Sequence, residues 1–201
     1  MSKLRPVLIW ATLVLAISVP IIVAANSAQL AWREPVYIVA GFAGIIGLAL
    51  LLLQPLLIIG VLPGIRRRKV HRWVGAGLVV AVVVHVAGLW IVSPPDVIDV
   101  LLFRSPTPFA VWGAVAMWAV FAAAALALVR GRIRLRLWRL AHTLLTTMIV
   151  VGTIIHAWRI EGAMGTISKS LLCALILMAM VWAIGKMRVW RGLLVNPYRA
   201  R

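Results

Sequence analysis

Charged residues are scarce in this sequence, and acidic ones are scarcer still. Asp and Glu together number four against 21 Lys and Arg, and charged residues make up only 12% of the chain. Hydrophobic residues make up 64%, which excludes an ordinary soluble domain. Several apolar runs reach the length of about 18 residues that predicts a spanning helix. The 201 residues therefore suffice for one helical membrane bundle with its loops and leave no room for a sizeable aqueous domain.

Cysteine is almost absent. The single one, Cys173, excludes a disulfide framework. It lies inside an apolar run, where a buried, inert thiol is expected in place of redox or metal chemistry.

The apolar runs predict an all-α integral membrane protein with a bundle of six transmembrane helices. Pro55 is expected to kink the second helix, which membrane bundles tolerate, and Pro63-Gly64 to end it. The first run has a rival interpretation as a signal peptide cleaved after Val23-Ala24-Ala25, but its length of about 19 residues favours a retained helix. Residues 93–108 are expected to form a loop. The predicted spans are at about 6–25, 37–62, 73–92, 108–129, 138–157 and 167–184.

The charge distribution predicts the topology. With the N-terminus inside, the cytoplasmic segments hold Lys3, Arg5, and five basic residues in each of 66–72, 130–139 and 186–201, which is 17 of the 21. All four acidic residues fall on the other side, as the positive-inside rule requires. Both termini are therefore expected in the cytoplasm. Since the basic residues flank spans and do not line a soluble face, we expect membrane lipids and not nucleic acid as their surroundings.

All four histidines lie in two segments of similar design. His71, which immediately precedes the third predicted span, and His85 within that span are 14 residues apart, and His142 and His156 are 14 apart in the fifth. Fourteen residues make about four helical turns, so both imidazoles of a segment share one face, about 21 Å apart along the axis. The third and fifth spans run in the same direction. His71 is therefore expected at the depth of His142, and His85 at the depth of His156.

Two axial imidazoles on opposite faces of a planar macrocycle complete a six-coordinate haem iron. We therefore interpret the histidines as ligands of two b haems, an inner one on His71 and His142 and an outer one on His85 and His156. A single haem, a proton relay and purely structural histidines in a transporter or scaffold are the alternatives, although a relay would not explain the equal spacing. Zinc normally takes three or four ligands, and two imidazoles with no cysteine or carboxylate nearby leave such a site short.

Three arginines are candidates for binding the haem propionates, because a guanidinium pairs well with a carboxylate. Arg72 is next to His71, and Arg139 lies one turn before His142. Arg159 follows His156 by three residues, where an anionic acceptor is a second candidate partner. Topogenic charge and interfacial anchoring are the alternatives.

Four glycines either leave room for the macrocycle or serve ordinary helix packing: Gly75, Gly77, Gly88 and Gly152.

Six helices with H-x13-H on the third and again on the fifth resemble the ferric reductase-like transmembrane domain. That superfamily includes ferric reductases, NADPH oxidases and the haem-binding membrane subunit of a bacterial methionine sulfoxide reductase system. The similarity extends from about Val36 to Lys186. It implies a haem-containing oxidoreductase of the inner (plasma) membrane. Electrons would pass from a cytosolic flavin through the inner and outer haems to an outside acceptor, whether a ferric chelate, dioxygen or a periplasmic protein.

The sequence also departs from the larger members of that superfamily. Ferric reductases and NADPH oxidases continue into flavin- and NAD(P)H-binding domains, whereas this sequence has no glycine-rich nucleotide fingerprint. Its last residues, Asn196-Pro197-Tyr198-Arg199, look like the approach to a flavin-binding barrel. We therefore expect a separate cytosolic flavin/NAD(P)H reductase or a small reductant as donor, with FMN or FAD binding at the cytoplasmic side left open. The alternative is a quinol-linked cytochrome b anchor of a dehydrogenase.

Overall fold

The computed structural model describes residues 4–187, which form an all-α bundle without a β-strand. Six of its helices are long and apolar enough to cross a membrane, which confirms the predicted fold class. The basic residues beyond position 187 and the ending at 196–199 lie outside the described residues. Short 3₁₀ turns occupy Ala28–Leu30 and Arg130–Arg132. The helices are α1 (Leu4–Ala25), α2 (Pro35–Ile59), α3 (Arg67–Val92), α4 (Pro94–Leu101), α5 (Ala110–Leu128), α6 (Leu135–Arg159) and α7 (Thr166–Met187).

The second span ends earlier than predicted, and a glycine rather than a proline ends it. Helix α2 continues through Pro55 to Ile59, and Gly60 follows in the left-handed conformation with φ 74°. Its N–H donates to the carbonyl of Leu56. Glycine adopts positive φ without the steric penalty of a side chain, so Gly60 closes the helix before Pro63 is reached.

The two histidine helices begin earlier than their apolar runs. Helix α3 starts at Arg67 and α6 at Leu135, so both take in basic residues that precede the predicted spans. Hydropathy reports only the part of a helix that lies in hydrocarbon, whereas the backbone continues as a helix into the headgroup region. As a result His71, which precedes the predicted span, lies within regular helix, where its position on a face is fixed.

A short helix, α4, occupies part of the segment predicted as a loop. Pro94 is in its first turn, where a missing N–H costs nothing, and Asp96 lies near the positive end of the helix dipole. The Ser93 hydroxyl donates to the Asp96 carboxylate over 2.7 Å. The prolines that end α3 thus also begin α4, and the expectation of a structureless loop over 93–108 was wrong for its first half.

The spans pack as two antiparallel hairpins joined by α7. Helix α2 packs along α3, and α5 packs along α6. Helix α7 lies against both α2 and α6, and α1 packs mainly against α7. The fully buried side chains of Leu172 and Ile176 in α7 are at the centre of the common core. This arrangement leaves α3 and α6 as neighbours that each have their own supporting helix.

Candidate functional site

The four histidines meet in two pairs across the space between α3 and α6. The ring centres of His71 and His142 are 6.4 Å apart, and those of His85 and His156 are also 6.4 Å apart. The ring planes are inclined by 74° in the 71/142 pair and by 83° in the 85/156 pair. First residue pairs with first and second with second, so α3 and α6 run in the same direction. The predicted pairing and the predicted parallel helices are confirmed.

Helices α3 and α6 hold their histidines towards each other without packing together. Their backbones make at most a marginal contact, in contrast to the close packing of each against its hairpin partner. Side chains therefore make the contact between them, while α2 supports α3 and α5 supports α6. Among residues 4–187 no cluster of three or more His, Cys, Asp or Glu side chains occurs, so each site offers two imidazoles.

Backbone carbonyls orient both rings of the 85/156 pair. His85 Nδ1 lies 2.7 Å from the Ala40 carbonyl of α2, and His156 Nδ1 lies 3.0 Å from the Phe109 carbonyl that precedes α5. A carbonyl oxygen only accepts, so each Nδ1 must carry the proton and donate it. Nε2 is then the nitrogen with a free lone pair in each ring. Metal-binding histidines commonly have this arrangement, in which the second nitrogen fixes the tautomer and the ring orientation.

Two glycines that we did not single out from the sequence make room for these rings. A Cβ at Gly44 would lie 3.1 Å from His85 Nδ1, and one at Gly113 would lie 2.6 Å from His156 Nδ1. Each glycine comes four residues after the carbonyl that accepts the imidazole proton. Because a side chain at that position would cover the carbonyl, glycine opens it to a second donor. The only signal available in the sequence was this repeated four-residue spacing in the segments that form α2 and the start of α5.

The 71/142 pair has different neighbours. The Nδ1 atoms of both rings are buried, and neither has a hydrogen-bond partner within residues 4–187. The indole of Trp138 stacks on His142 with ring centres 4.9 Å apart and planes inclined by only 10°. Gln54 of α2 approaches His71, with its Nε2 donating to the His71 carbonyl over 3.4 Å. Neither Trp138 nor Gln54 was predicted as a site residue.

The three candidate arginines lie at the ends of the histidine helices with exposed side chains. Arg72 and Arg139 are at the end that holds the 71/142 pair, and Arg159 is in the last turn of α6 beyond His156. A fourth arginine lies beside the stacked Trp138 and His142 rings, because the Arg130 guanidinium is 5.1 Å from the ring centre of Trp138. Binding of propionates by Arg72, Arg139 or Arg159 stays a prediction.

The glycines of α3 and α6 serve helix packing and do not leave room for a macrocycle. A Cβ at Gly88 would lie 2.7 Å from the Cβ of Ala40, and one at Gly152 would lie 2.9 Å from the Trp112 carbonyl. The same construction brings Gly75 against Gln54 and Gly77 against Leu50. All four face the supporting helices α2 and α5, so the macrocycle interpretation of these residues was wrong.

Six spanning helices with histidines paired at two depths define a multi-pass membrane protein. Residues 40–153, more than half of the chain, match the family described as ferric reductase like transmembrane component, and the chain belongs to that family. This supports a function of the membrane oxidoreductase type. Comparison with curated proteins and with solved structures found no match.

Proposed function

We propose that this chain transfers electrons across the inner (plasma) membrane while it holds two b haems, each between one pair of histidines. His71 and His142 would bind the haem at the cytoplasmic side, and His85 and His156 the haem at the outer side. The chain would act as the membrane subunit of a ferric reductase-like oxidoreductase with a separate reductase partner. The observation that carries this proposal is the equal separation of the two pairs.

That separation fits a metal bound between two imidazoles. A metal–nitrogen bond of about 2.0 Å on each side, with each ring centre about 1.1 Å beyond its nitrogen, puts the two ring centres about 6.2 Å apart. Both pairs have 6.4 Å. The separation is the same at both depths, as the binding of one kind of group at both pairs would require.

The tautomer and the space between the helices support the same ligand. At the 85/156 pair the carbonyls of Ala40 and Phe109 take the Nδ1 protons, which leaves the Nε2 lone pairs for a metal. The marginal contact between α3 and α6 is what a planar group between them requires. A b haem supplies a one-electron iron couple whose potential depends on its axial ligands and their hydrogen bonds.

The remaining residues position the ligands and exclude water and ions. Apolar spans surround both pairs, so charged solutes meet a hydrocarbon barrier. The basic segments 66–72 and 130–139 lie at the end of the bundle that holds the 71/142 pair, and the acidic residues lie towards the other end. By the positive-inside rule the basic end faces the cytosol. The donor would therefore approach the 71/142 pair, and a ferric chelate, dioxygen or a periplasmic protein would accept electrons beside the 85/156 pair.

The test is the dithionite-reduced minus oxidised absorption spectrum of the purified protein after expression with added haem. We expect the bands of low-spin b haem, with two haems per chain. His71→Ala and His85→Ala should each remove about half of the signal, because each variant loses one axial ligand of one site.

The control is Thr147→Ala, which removes a polar group from α6 that bonds only within its own helix, to the Thr143 carbonyl. This variant should keep both haems. A wild-type protein without bands, or bands that survive replacement of all four histidines, would contradict the proposal and favour structural histidines in a transporter or scaffold.

A further inference from the structure

Gln54 is the only Asn or Gln within the six spanning helices. A side-chain amide at membrane depth is costly unless both of its ends find partners, so its presence there calls for a function. Gln54 lies on α2, the helix that supports α3, and it lies beside the 71/142 pair.

The surroundings of Gln54 hold it against His71. Its Nε2 donates to the His71 carbonyl over 3.4 Å. Gly75, one turn further along α3, provides the space, since a Cβ there would lie 3.2 Å from the same nitrogen. An amide turned the other way would set its oxygen against a carbonyl oxygen, so the orientation with Nε2 towards His71 is the one that chemistry allows.

Three buried polar atoms at the 71/142 pair have no hydrogen-bond partner among the described residues: Gln54 Oε1, His71 Nδ1 and His142 Nδ1. Gln54 contacts His71, so its Oε1 and the Nδ1 of His71 are the two that we consider together. An amide oxygen accepts, and the Nδ1–H of a histidine that binds metal through Nε2 donates, so the two groups complement each other. Buried groups of this kind are paired in most proteins, directly or through one water.

We infer that Gln54 is the positioning residue of the 71/142 site, where its Oε1 accepts the Nδ1–H of His71 and sets Nε2 towards the haem iron. At the 85/156 site two backbone carbonyls serve this purpose. At the 71/142 site His142 is held by the stacked face of Trp138, which offers no acceptor. Gln54 therefore acts on one ligand of one site. This inference rests on the proposed function.

The inference predicts the direction in which each Gln54 variant changes the redox potential of the 71/142 haem. A hydrogen bond from Nδ1–H makes an imidazole a stronger donor to iron, which stabilises the oxidised state. Gln54→Leu removes the acceptor, so the midpoint potential of the 71/142 haem should rise. Gln54→Glu supplies a stronger, negatively charged acceptor, so the potential should fall below that of the wild type. Loss of this support should also weaken haem binding at the site by about ten-fold or more.

The experiment is a spectroelectrochemical titration in two backgrounds. His85→Ala leaves only the 71/142 haem, and His71→Ala leaves only the 85/156 haem. Gln54→Leu and Gln54→Glu should shift the potential in opposite directions in the first background and leave it unchanged in the second. Gln54→Met, which keeps the length of the side chain, replaces Gln54→Leu if the latter does not fold. Leu53→Ala is the matched control, because Leu53 lies on the same turn of α2 and lines a groove with α1.

If the Gln54 amide had only a structural role, its replacement would lower the stability of the protein. It would not shift the potential of the 71/142 haem in opposite directions for Leu and Glu. The inference is overturned if both Gln54 variants leave the 71/142 potential unchanged, if they shift it in the same direction, or if the 85/156 haem shifts equally. In those cases two haems in the wild type would still support the proposed function. A wild-type protein that takes up no haem would overturn both.

Discussion

The Phe109 carbonyl accepts two hydrogen bonds because the residue four positions later has no side chain. Gly113 N–H donates to it over 3.3 Å within the helix, and His156 Nδ1 donates to it over 3.0 Å from outside. Ala40 and Gly44 repeat the arrangement at His85, with the imidazole 2.7 Å from the carbonyl. The two hairpins therefore form the 85/156 site with the same local arrangement, a carbonyl followed four residues later by glycine.

This arrangement predicts that alanine weakens haem binding to a different extent at each of the two glycines. Gly113→Ala places a Cβ 2.6 Å from His156 Nδ1, which forces the ring off the Phe109 carbonyl, whereas Gly44→Ala leaves 3.1 Å at His85. We expect Gly113→Ala to weaken haem binding at the 85/156 site by about ten-fold or more and Gly44→Ala to weaken it less. Haem-to-protein ratios under limiting haem measure the difference.

Gly41→Ala on α2 is the control, because nothing lies within 4 Å of a Cβ built there. Alanine favours a helix over glycine by up to about 1 kcal/mol, so lost haem binding in Gly113→Ala cannot be ascribed to a weakened helix. Equal haem content in all three variants would contradict the role given to Gly113.

At the residue level, the sequence predicted the histidine pairs but not the residues that support them. The histidine pairs were predictable because helical periodicity places residues 14 apart on one face, and equal spacing matches their depths. Gly44, Gly113 and Gln54 were not, because they lie on other helices and touch the histidines only after the hairpins pack. The glycines of the histidine helices were visible in the sequence beside the histidines, but they face α2 and α5.

At the level of elements, two lysines tie α7 to the carboxyl ends of other helices. Lys169 Nζ donates to the carbonyl of Ile160, which follows α6, over 2.6 Å. Lys186 Nζ donates to the carbonyl of Ile59, the last residue of α2, also over 2.6 Å. A cation at the negative end of a helix dipole satisfies a carbonyl that has no partner within its own helix. Helix α7 is thus fixed at both of its ends.

The two lysine contacts should differ in their contribution to stability. Lys169 is buried, with 7% of its surface exposed, so Lys169→Met leaves a carbonyl that water reaches poorly. We expect a loss of about 1–3 kcal/mol, as for other hydrogen bonds to charged groups. Lys186 is exposed, and water can replace it, so Lys186→Met should cost less. Thermal unfolding in detergent tests this order, with Lys69→Met, an exposed lysine on α3, as the reference. Equal stability of all three variants would exclude the proposed fixing of α7.

Helix boundaries could be predicted from the sequence only where the apolar run and the helix begin and end at about the same residue. The six spans were predictable because each needs about 20 apolar residues. The starts of α3 and α6 were missed because charged residues at a membrane surface remain helical. The end of α2 was missed because Gly60, a position that requires positive φ, acts before the proline. Helix α4 was missed because a proline that follows a span ends one helix but is also favourable in the first turn of the next.

At the scale of the whole molecule, the two ends of the bundle differ in charge and in the histidine pair that lies near each of them. Segments 66–72 and 130–139 carry ten basic residues beside the 71/142 pair, whereas all four acidic residues of the sequence lie towards the other end. Because the 71/142 pair lies nearer the basic end, a donor that docks there reaches that pair first. An acidic protein surface is attracted to such an end, and the attraction weakens as salt screens it.

This polarity predicts how the protein is reduced in proteoliposomes with the basic end outward. A soluble flavin reductase with NADH, added outside, should reduce the haems, at a rate that falls about ten-fold or more between low and high ionic strength. Replacing the exposed residues Arg68 and Arg136 by Gln should slow reduction, whereas Arg104→Gln at the opposite end should not. If a membrane-soluble quinol reduces the protein faster, and salt and the arginine variants have no effect, the donor is a quinol. The chain would then be the cytochrome b anchor of a dehydrogenase, because a quinol reaches its site through the bilayer and is indifferent to surface charge.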